Sequence, residues 1–282
     1  MMIHNFQTAS NFTAAEHRLP LPTTMATAKS EIAEHMEGME DAIAKMQSLP
    51  LKVKACWSKG PKVATGENTK TVHFVRHGQG FHNLVADIAR KNGKTWIPHI
   101  ISEDNPYVMP EILDAPLTDR GRQEATSLQE TMQQMEDKPE LIVFSPHCRA
   151  LQTGLLVFED LEGKVPYLAH EMVREQTGVH VCDKRRPKSR QEKEFPAIDF
   201  SLIDTEEDAL FMPDRRETKA EVATRAYKFF EWLESRPEKH IGVASHSAWL
   251  LTVFNANLEC EESLKAWFET GEMRSVVLEF CR

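Results

Sequence analysis

The chain has 282 residues, 41% of them hydrophobic, with 34 Lys and Arg against 43 Asp and Glu, for a formal charge of −9. That length and apolar content suit one large or two small globular domains, and they exclude a disordered chain, a collagen and a small disulfide scaffold. The acidic surplus argues against gripping nucleic acid or an anionic membrane, so an anionic ligand has to meet a local positive site.

Five cysteines stand at 56, 148, 182, 260 and 281, with no C-x-x-C pair and no zinc-like grouping with histidines. They read as reduced intracellular thiols. The longest apolar run, Ala248 to Phe254, is interrupted by Thr252. It falls far short of the roughly 18 to 20 residues that a membrane-spanning helix requires.

At the N-terminus, the first 30 residues contain Arg18, Lys29 and a single acid, Glu16, among several Thr and Ser, with no apolar core for secretion. Two readings stand: a transit peptide, or a disordered tail before a second start at Met25, with a cytoplasmic protein expected. From Ile32, apolar residues recur at Met36, Met39, Ile43 and Met46, which predicts an amphipathic helix over about 30–48. Its stripe either docks on the main domain or pairs with a second copy as a short dimerising coil. The chain thus divides into a disordered or targeting tail (1–29), an N-terminal helix with linker (30–69) and a catalytic domain (70–282).

After a turn-rich stretch from Ser58 to Asn68, Thr71 to Arg76 is a short β-rich run ended by His77-Gly78. Thr118, with Gly121 in the first turn, opens a helix running through Leu128, Met132 and Met135, and the apolar run Leu141 to Phe144 follows. The rhythm repeats with the helical face Val222, Ala226, Phe229, Phe230 and Leu233, then strand-like Ile241 to Ser245; Ser275 to Phe280 supplies a last strand. Alternating helix and buried strand predict an α/β fold with a mostly parallel central sheet in a three-layer α/β/α sandwich. Two stretches break the rhythm, Asn92 to Pro116 and Asp183 to Arg216, and loops this long read as functional lids.

Three strand ends carry similar chemistry: Arg76-His77-Gly78, Ser145-Pro146-His147-Cys148-Arg149 and Ser245-His246-Ser247. Ligands of open α/β sheets sit outside the carboxyl ends of strands, so these residues can converge on a dianion. Arg76 and Arg149 suit bidentate contact with phosphoryl oxygens, and His77 suits in-line attack. His246, held cationic by bound phosphate, adds a donor. His147 is open to a pocket role or a structural one. Arginines neutralise the phosphoryl charge here, so neither metal nor cofactor is called for.

Four motifs in order, Arg76-His77-Gly78-Gln79-x-x-x-Asn83, Leu117-Thr118-x-x-Gly121-x-x-x-Ala125, Ser145-x-x-x-Arg149-Ala150-x-x-Thr153 and Ser245-His246, resemble the histidine phosphatase superfamily, phosphoglycerate mutase-like branch. The resemblance covers about residues 70–282. The block from Arg174-Glu175 to Arg185-Arg186, followed by Phe195-Pro196-x-x-Asp199-Phe200, is similar to plant, algal and fungal phosphoglycerate mutase-like proteins. The resemblance implies a phosphorylated His77, phosphoryl contacts from Arg76, Arg149 and His246, a side-chain contact from Asn83 or Gln79, and Glu175 as general acid. Asn83 has a rival role as a helix cap.

Relative to the glycolytic mutase form, Gln79-Gly80 and His82 stand where Glu-Ser/Thr and Trp are expected, and Leu113-Asp114-Ala115-Pro116 replaces a Gly-Trp-x-Asp element. These departures favour a phosphatase over a mutase. The basic run Lys184 to Arg190 reads as a solvated loop, as a patch for nucleic acid or phospholipid headgroups, or, following the Glu175 block, as a rim for an anionic leaving group with Arg185 and Arg186 foremost. The expected function is a metal-independent phosphatase acting through phosphohistidine on a small phosphate ester. Its competitors are an intramolecular phosphotransferase and a non-catalytic phospho-ligand binding module.

Overall fold

A computed structural model of the chain describes residues 36–59, 66 and 68–282. The tail call, Ile32 with the first turn of the expected helix, and most of the stretch around residues 60–67 lie outside the described residues.

Seven strands form one sheet: β1 (Lys52–Trp57), β2 (Thr69–Arg76), β3 (Leu141–Phe144), β4 (Tyr167–Ala169), β5 (His240–Ser245), β6 (Leu258–Glu259) and β7 (Met273–Cys281). Their order is β4-β3-β5-β2-β7-β1-β6. The β4-β3-β5-β2 half is parallel throughout, while β7 runs antiparallel to both β2 and β1, and β6 lies parallel to β1. The expected strands at 71–76, 141–144, 241–245 and 275–280 all lie within strands of this sheet.

The helices are α1 (Met39–Gln47), α2 (Phe81–Lys91), α3 (Asp119–Gln133), α4 (Cys148–Val157), α5 (Lys188–Glu194), α6 (Lys219–Ser235) and α7 (Ser247–Thr252). Successive strand residues point to opposite faces, which separates two cores. Val72, Phe74, Leu141, Val143, Ile241 and Val243 pack with α6 and α7 through Val222, Phe229, Phe230 and Trp249. Val75, Ile142, Phe144 and Ala244 pack on the other side with α3 and α4 through Ala125, Met132, Leu151 and Val157. The result is the three-layer α/β/α sandwich, built where the sequence alternates helix and buried strand.

One of the two readings of the N-terminal stripe is supported, and one expectation about the linker is corrected. Met39 and Met46 of the stripe, with Ala42 between them, are buried against Ala223, Leu251, Tyr227 and Trp267 of the same chain, which is the docking reading. Residues 52–57 are not linker: they form β1, in register with β7 from Lys52 opposite Cys281 to Trp57 opposite Val276. Residues from Met36 onward accordingly form a single compact unit. A period-two pattern, Val53 and Ala55 inward with Lys54 outward, marks the strand.

One close approach fixes the loop after β2. A Cβ on Gly78 would collide with the backbone of Gly121, and one on Gly121 with the backbone of Gln79, so the loop after β2 and the start of α3 touch main chain to main chain. Thr118 caps α3 by accepting from the Gly121 N–H at 3.1 Å, and its own N–H donates to the Gln79 carbonyl at 2.9 Å. The two motifs that flank this contact are therefore one structural unit.

Candidate active site

Strands β2, β3 and β5 are adjacent and parallel, so their carboxyl ends deliver His77, Ser145 and His246 to one point. The His77 and His246 rings lie 5.0 Å apart between centroids, and His82, from the first turn of α2, lies 5.4 Å from His77. Arg76, His77, Arg149 and His246 are all buried.

Hydrogen bonding assigns His77 a tautomer. Its Nδ1 lies 2.7 Å from the Gly78 carbonyl, which only accepts, so Nδ1 carries the proton and Nε2 keeps its lone pair. Arg149 Nε donates to that Nε2 at 3.3 Å. Burial, then the charge of Arg149, the neighbouring His82 and the charge of Arg76, push His77 well below its usual titration range. The imidazole is neutral and nucleophilic at neutral pH.

The arginines differ in how they are held. Arg76 donates to the Phe268 carbonyl at 2.5 Å and lies over the Trp267 ring, while its buried Nε has no partner. Arg149 donates to the Cys182 carbonyl at 2.7 Å and to Asp183 at 2.8 Å. Asp183 also accepts from Arg216 at 2.8 Å. Burial alone would raise the Asp183 carboxyl, but His180, Arg216 and Arg149 together hold it well below the usual carboxylate range. It is a fixed anion that aims Arg149.

Three buried polar atoms on these side chains lack partners: Arg76 Nε, His246 Nδ1 and His82 Nδ1. Unsatisfied buried polar groups are costly and uncommon, and a cluster of them beside two guanidinium groups is the arrangement an anion would complete.

Glu175 lies at the start of α7. Its Oε1 accepts from the N–H groups of Trp249 at 3.0 Å and Gln176 at 2.8 Å, and Oε2 accepts from the Ala248 N–H at 3.2 Å. Arg225 clamps the segment from behind, donating to the carbonyls of Met172, Arg174 and Glu175 and pairing with Glu217. The carboxylate is thus locked in orientation beside the helix that His246 opens.

Several expected contacts take other roles. Arg185 is 1% exposed, and all five of its N–H groups are engaged, by the Glu171 carboxylate, the carbonyls of Thr205, Glu206, Glu207 and Arg186, and the Thr205 hydroxyl. Arg186 pairs with buried Asp114 at 2.9 Å and with Glu194 at 2.7 Å. The expected basic rim is therefore corrected: Arg185 staples the second lid to itself and to Glu171, and Arg186 ties it to the first lid through Asp114, because desolvated guanidinium groups need carboxylates and carbonyls around them. Asn83 Oδ1 accepts from the Gly80 N–H at 3.0 Å, which is the rival capping role. The Gln79 carboxamide oxygen accepts from the Thr118 hydroxyl at 2.9 Å and ties its loop to α3.

Other residues near the site were not assigned roles from sequence. His82 stands in the first motif, and Gly80 admits its ring, since a Cβ there would collide with it. Tyr107 and His180 stack at 4.7 Å where the two lids meet, and His180 Nε2 donates to the Pro98 carbonyl at 2.6 Å. His180 follows Val179, a β-branched residue held at φ 60, a strained setting of the kind that clusters at functional sites. The signal available was the two long irregular segments themselves.

Sequence comparison decides the family. A profile described as the Histidine phosphatase superfamily (branch 1) matches residues 103–282, which include Arg149, Glu175 and His246. The chain belongs to the histidine phosphatase superfamily. A "Phosphoglycerate mutase-like protein 1" of Arabidopsis thaliana is 35% identical over 242 residues, covering 74% of this chain and 81% of that protein. A second Arabidopsis thaliana protein, "Phosphoglycerate mutase-like protein", is 32% identical over 242 residues, covering 74% of this chain and 84% of its own length. Among solved structures, one titled "Mycobacterial hydrolase 1" aligns with a TM-score of 0.47 at 17% identity, covering 76% of this chain and 96% of that one. For this superfamily member, no helix among the described residues is long and apolar enough to cross a membrane.

Proposed function

We propose that the protein is a metal-independent phosphomonoesterase that works through a phosphohistidine on His77. The observation that carries this reading is the unprotonated Nε2 of His77, fixed by the Nδ1 contact to Gly78 and bonded to Arg149, in a site where Arg76 also keeps a partnerless Nε.

In the first half-reaction, His77 Nε2 attacks phosphorus, the ester P–O bond breaks, and Glu175 gives its proton to the departing oxygen. Arg76 and Arg149 neutralise the equatorial oxygens as charge redistributes. In the second, water attacks the phosphohistidine, its proton goes to the Glu175 carboxylate, the P–N bond breaks and inorganic phosphate leaves. One carboxyl serves both halves because the first leaves it ionised and the second returns its proton.

The departures from the glycolytic mutase pattern support hydrolysis. Asp114, in the replaced element, anchors Arg186 and accepts from the Cys148 N–H, so that stretch fastens the lids together.

The deciding experiment is turnover of p-nitrophenyl phosphate in the presence of a chelator, with alkaline quenching to detect phosphoprotein. Chelator-resistant turnover and an acid-labile, base-stable phosphoprotein are expected, and His77→Ala should lose at least about a thousandfold in rate. A fully active His77→Ala variant would refute the nucleophile assignment. Absence of turnover together with retained phosphate binding would leave the binding-module reading standing.

A further inference from the structure

Behind His246 lies a short hydrogen-bonded relay that the hydrolytic mechanism does not use. His246 Nε2 lies 2.7 Å from the Ser145 hydroxyl, Ser145 lies 3.1 Å from His147 Nδ1, and His147 Nε2 lies 3.0 Å from the Asp183 carbonyl. All three side chains are fully buried.

The protons in this chain are determined from its far end. The Asp183 carbonyl only accepts, so His147 carries its proton on Nε2 and, being neutral, presents a bare Nδ1. Ser145 therefore donates its single proton to His147. Its oxygen then accepts from His246, which fixes the His246 proton on Nε2. His246 Nδ1 is left as a bare acceptor, buried without a partner in a ring 5.0 Å from that of His77. Burial, followed by the charge of Arg149, holds both imidazoles well below their usual range, which keeps them neutral without ligand.

A bare lone pair facing a phosphate dianion is repulsive. A proton has to lie between them. We propose that the site takes a phosphate group together with one proton, bound as the monoanionic ester or as dianion plus His246 imidazolium, and that Ser145 and His147 impose this by fixing the His246 tautomer. The inference rests on the phosphoryl-site reading above and adds the charge form of the ligand. Ser145 and His147 are positioning residues.

The groups facing His246 fit that assignment. His77 follows β2, His82 comes from α2, Ser145 and His147 precede α4, and Arg149 lies within it; Glu175 is bonded to the α7 N–H groups just after His246. Of the neutral members, His77 already has its Nδ1 proton bound to Gly78. His246 Nδ1 is the acceptor that the relay leaves open.

The test uses inorganic phosphate and the whole protein. Titration calorimetry at about pH 9, well above the second ionisation of inorganic phosphate (about 7, a unit above that of an ester), in buffers of different ionisation enthalpy reads protons taken up per phosphate bound. Uptake close to one is expected, with the association constant falling about tenfold per pH unit above that ionisation. In Ser145→Ala the His246 ring is released to carry its proton on Nδ1, and uptake should fall toward zero while binding persists. Nitrogen-15 spectra of wild-type imidazoles should show His246 protonated at Nε2, a readout available even if Ser145→Ala does not fold. Binding without proton uptake, or an Nδ1-protonated His246, would overturn the relay while leaving the phosphoryl site intact. Uptake unchanged in Ser145→Ala would place the proton elsewhere. Failure of phosphate to bind at any pH would overturn the phosphoryl site and the inference together.

Discussion

Two groups of buried arginines lie close together and do opposite things. Arg185 and Arg186, in the second lid, have their guanidinium groups matched by carboxylates and carbonyls of their own chain. At the sheet, Arg76 is held by one carbonyl and keeps a buried Nε without an acceptor, and one of Arg149's three contacts is the lone pair of His77 Nε2. Burial of charge is common to both. Satisfaction of donors distinguishes an internal staple from a ligand site.

The sharpest way to break the comparison is to remove one arginine of each kind. Arg185→Met should destabilise the fold by about 3–5 kcal/mol, because it takes a donor from four backbone carbonyls and from the Glu171 carboxylate. Urea denaturation checks this, and kcat/KM of the folded fraction should stay within about tenfold. A soluble, fully stable variant with a raised KM would restore the rim role. Arg149→Met should act the other way, lowering kcat/KM by about a hundred- to a thousandfold. Its Asp183 partner keeps Arg216 and His180, so the melting temperature should change less than in Arg185→Met.

Glu175→Gln sharpens the chemistry on the ligand side. It should slow hydrolysis of an alkyl phosphate about a hundredfold and that of p-nitrophenyl phosphate by less than about tenfold, since a good leaving group needs no proton. Equal slowing of both would remove Glu175 as the acid.

The smallest effect concerns a third buried cation, Lys219, whose ammonium donates to Gln176 at 2.8 Å. Burial pulls it down to about 8 from 10.5, with Glu175 and Glu217 opposing and Arg216 adding to the fall. The folded value lies below the unfolded one, so between those two pH values the unfolded chain binds more protons. Stability from this residue therefore rises with pH across that window. Lys219→Met should flatten that rise by on the order of 2 kcal/mol in paired urea titrations near pH 7 and 10.

Local sequence carried the parallel half of the sheet, since apolar runs such as Leu141 to Phe144 have few alternatives to a buried strand. It carried less of the edge. β1 is short, and what makes it a strand is pairing with β7 more than 200 residues later. The N-terminal stripe was legible as a helix face, but its partner was not, because an apolar face does not specify what covers it.

For the site, residue types at strand ends pointed to His77, Arg76, Arg149 and His246, and their convergence follows from the parallel order of β2, β5 and β3. Arg185 and Arg186 show the opposite case. A basic run reads the same in sequence whether it faces solvent or a buried set of carbonyls, and only the folded lids decide.

The 282 residues and the charge of −9 by themselves determined that any anion must meet a local cationic site, and the motif order determined which side chains would build it. Tertiary structure alone decided which cations remained available to a ligand and where the protons of the imidazoles lie. Both depend on hydrogen-bond partners brought together from distant parts of the chain.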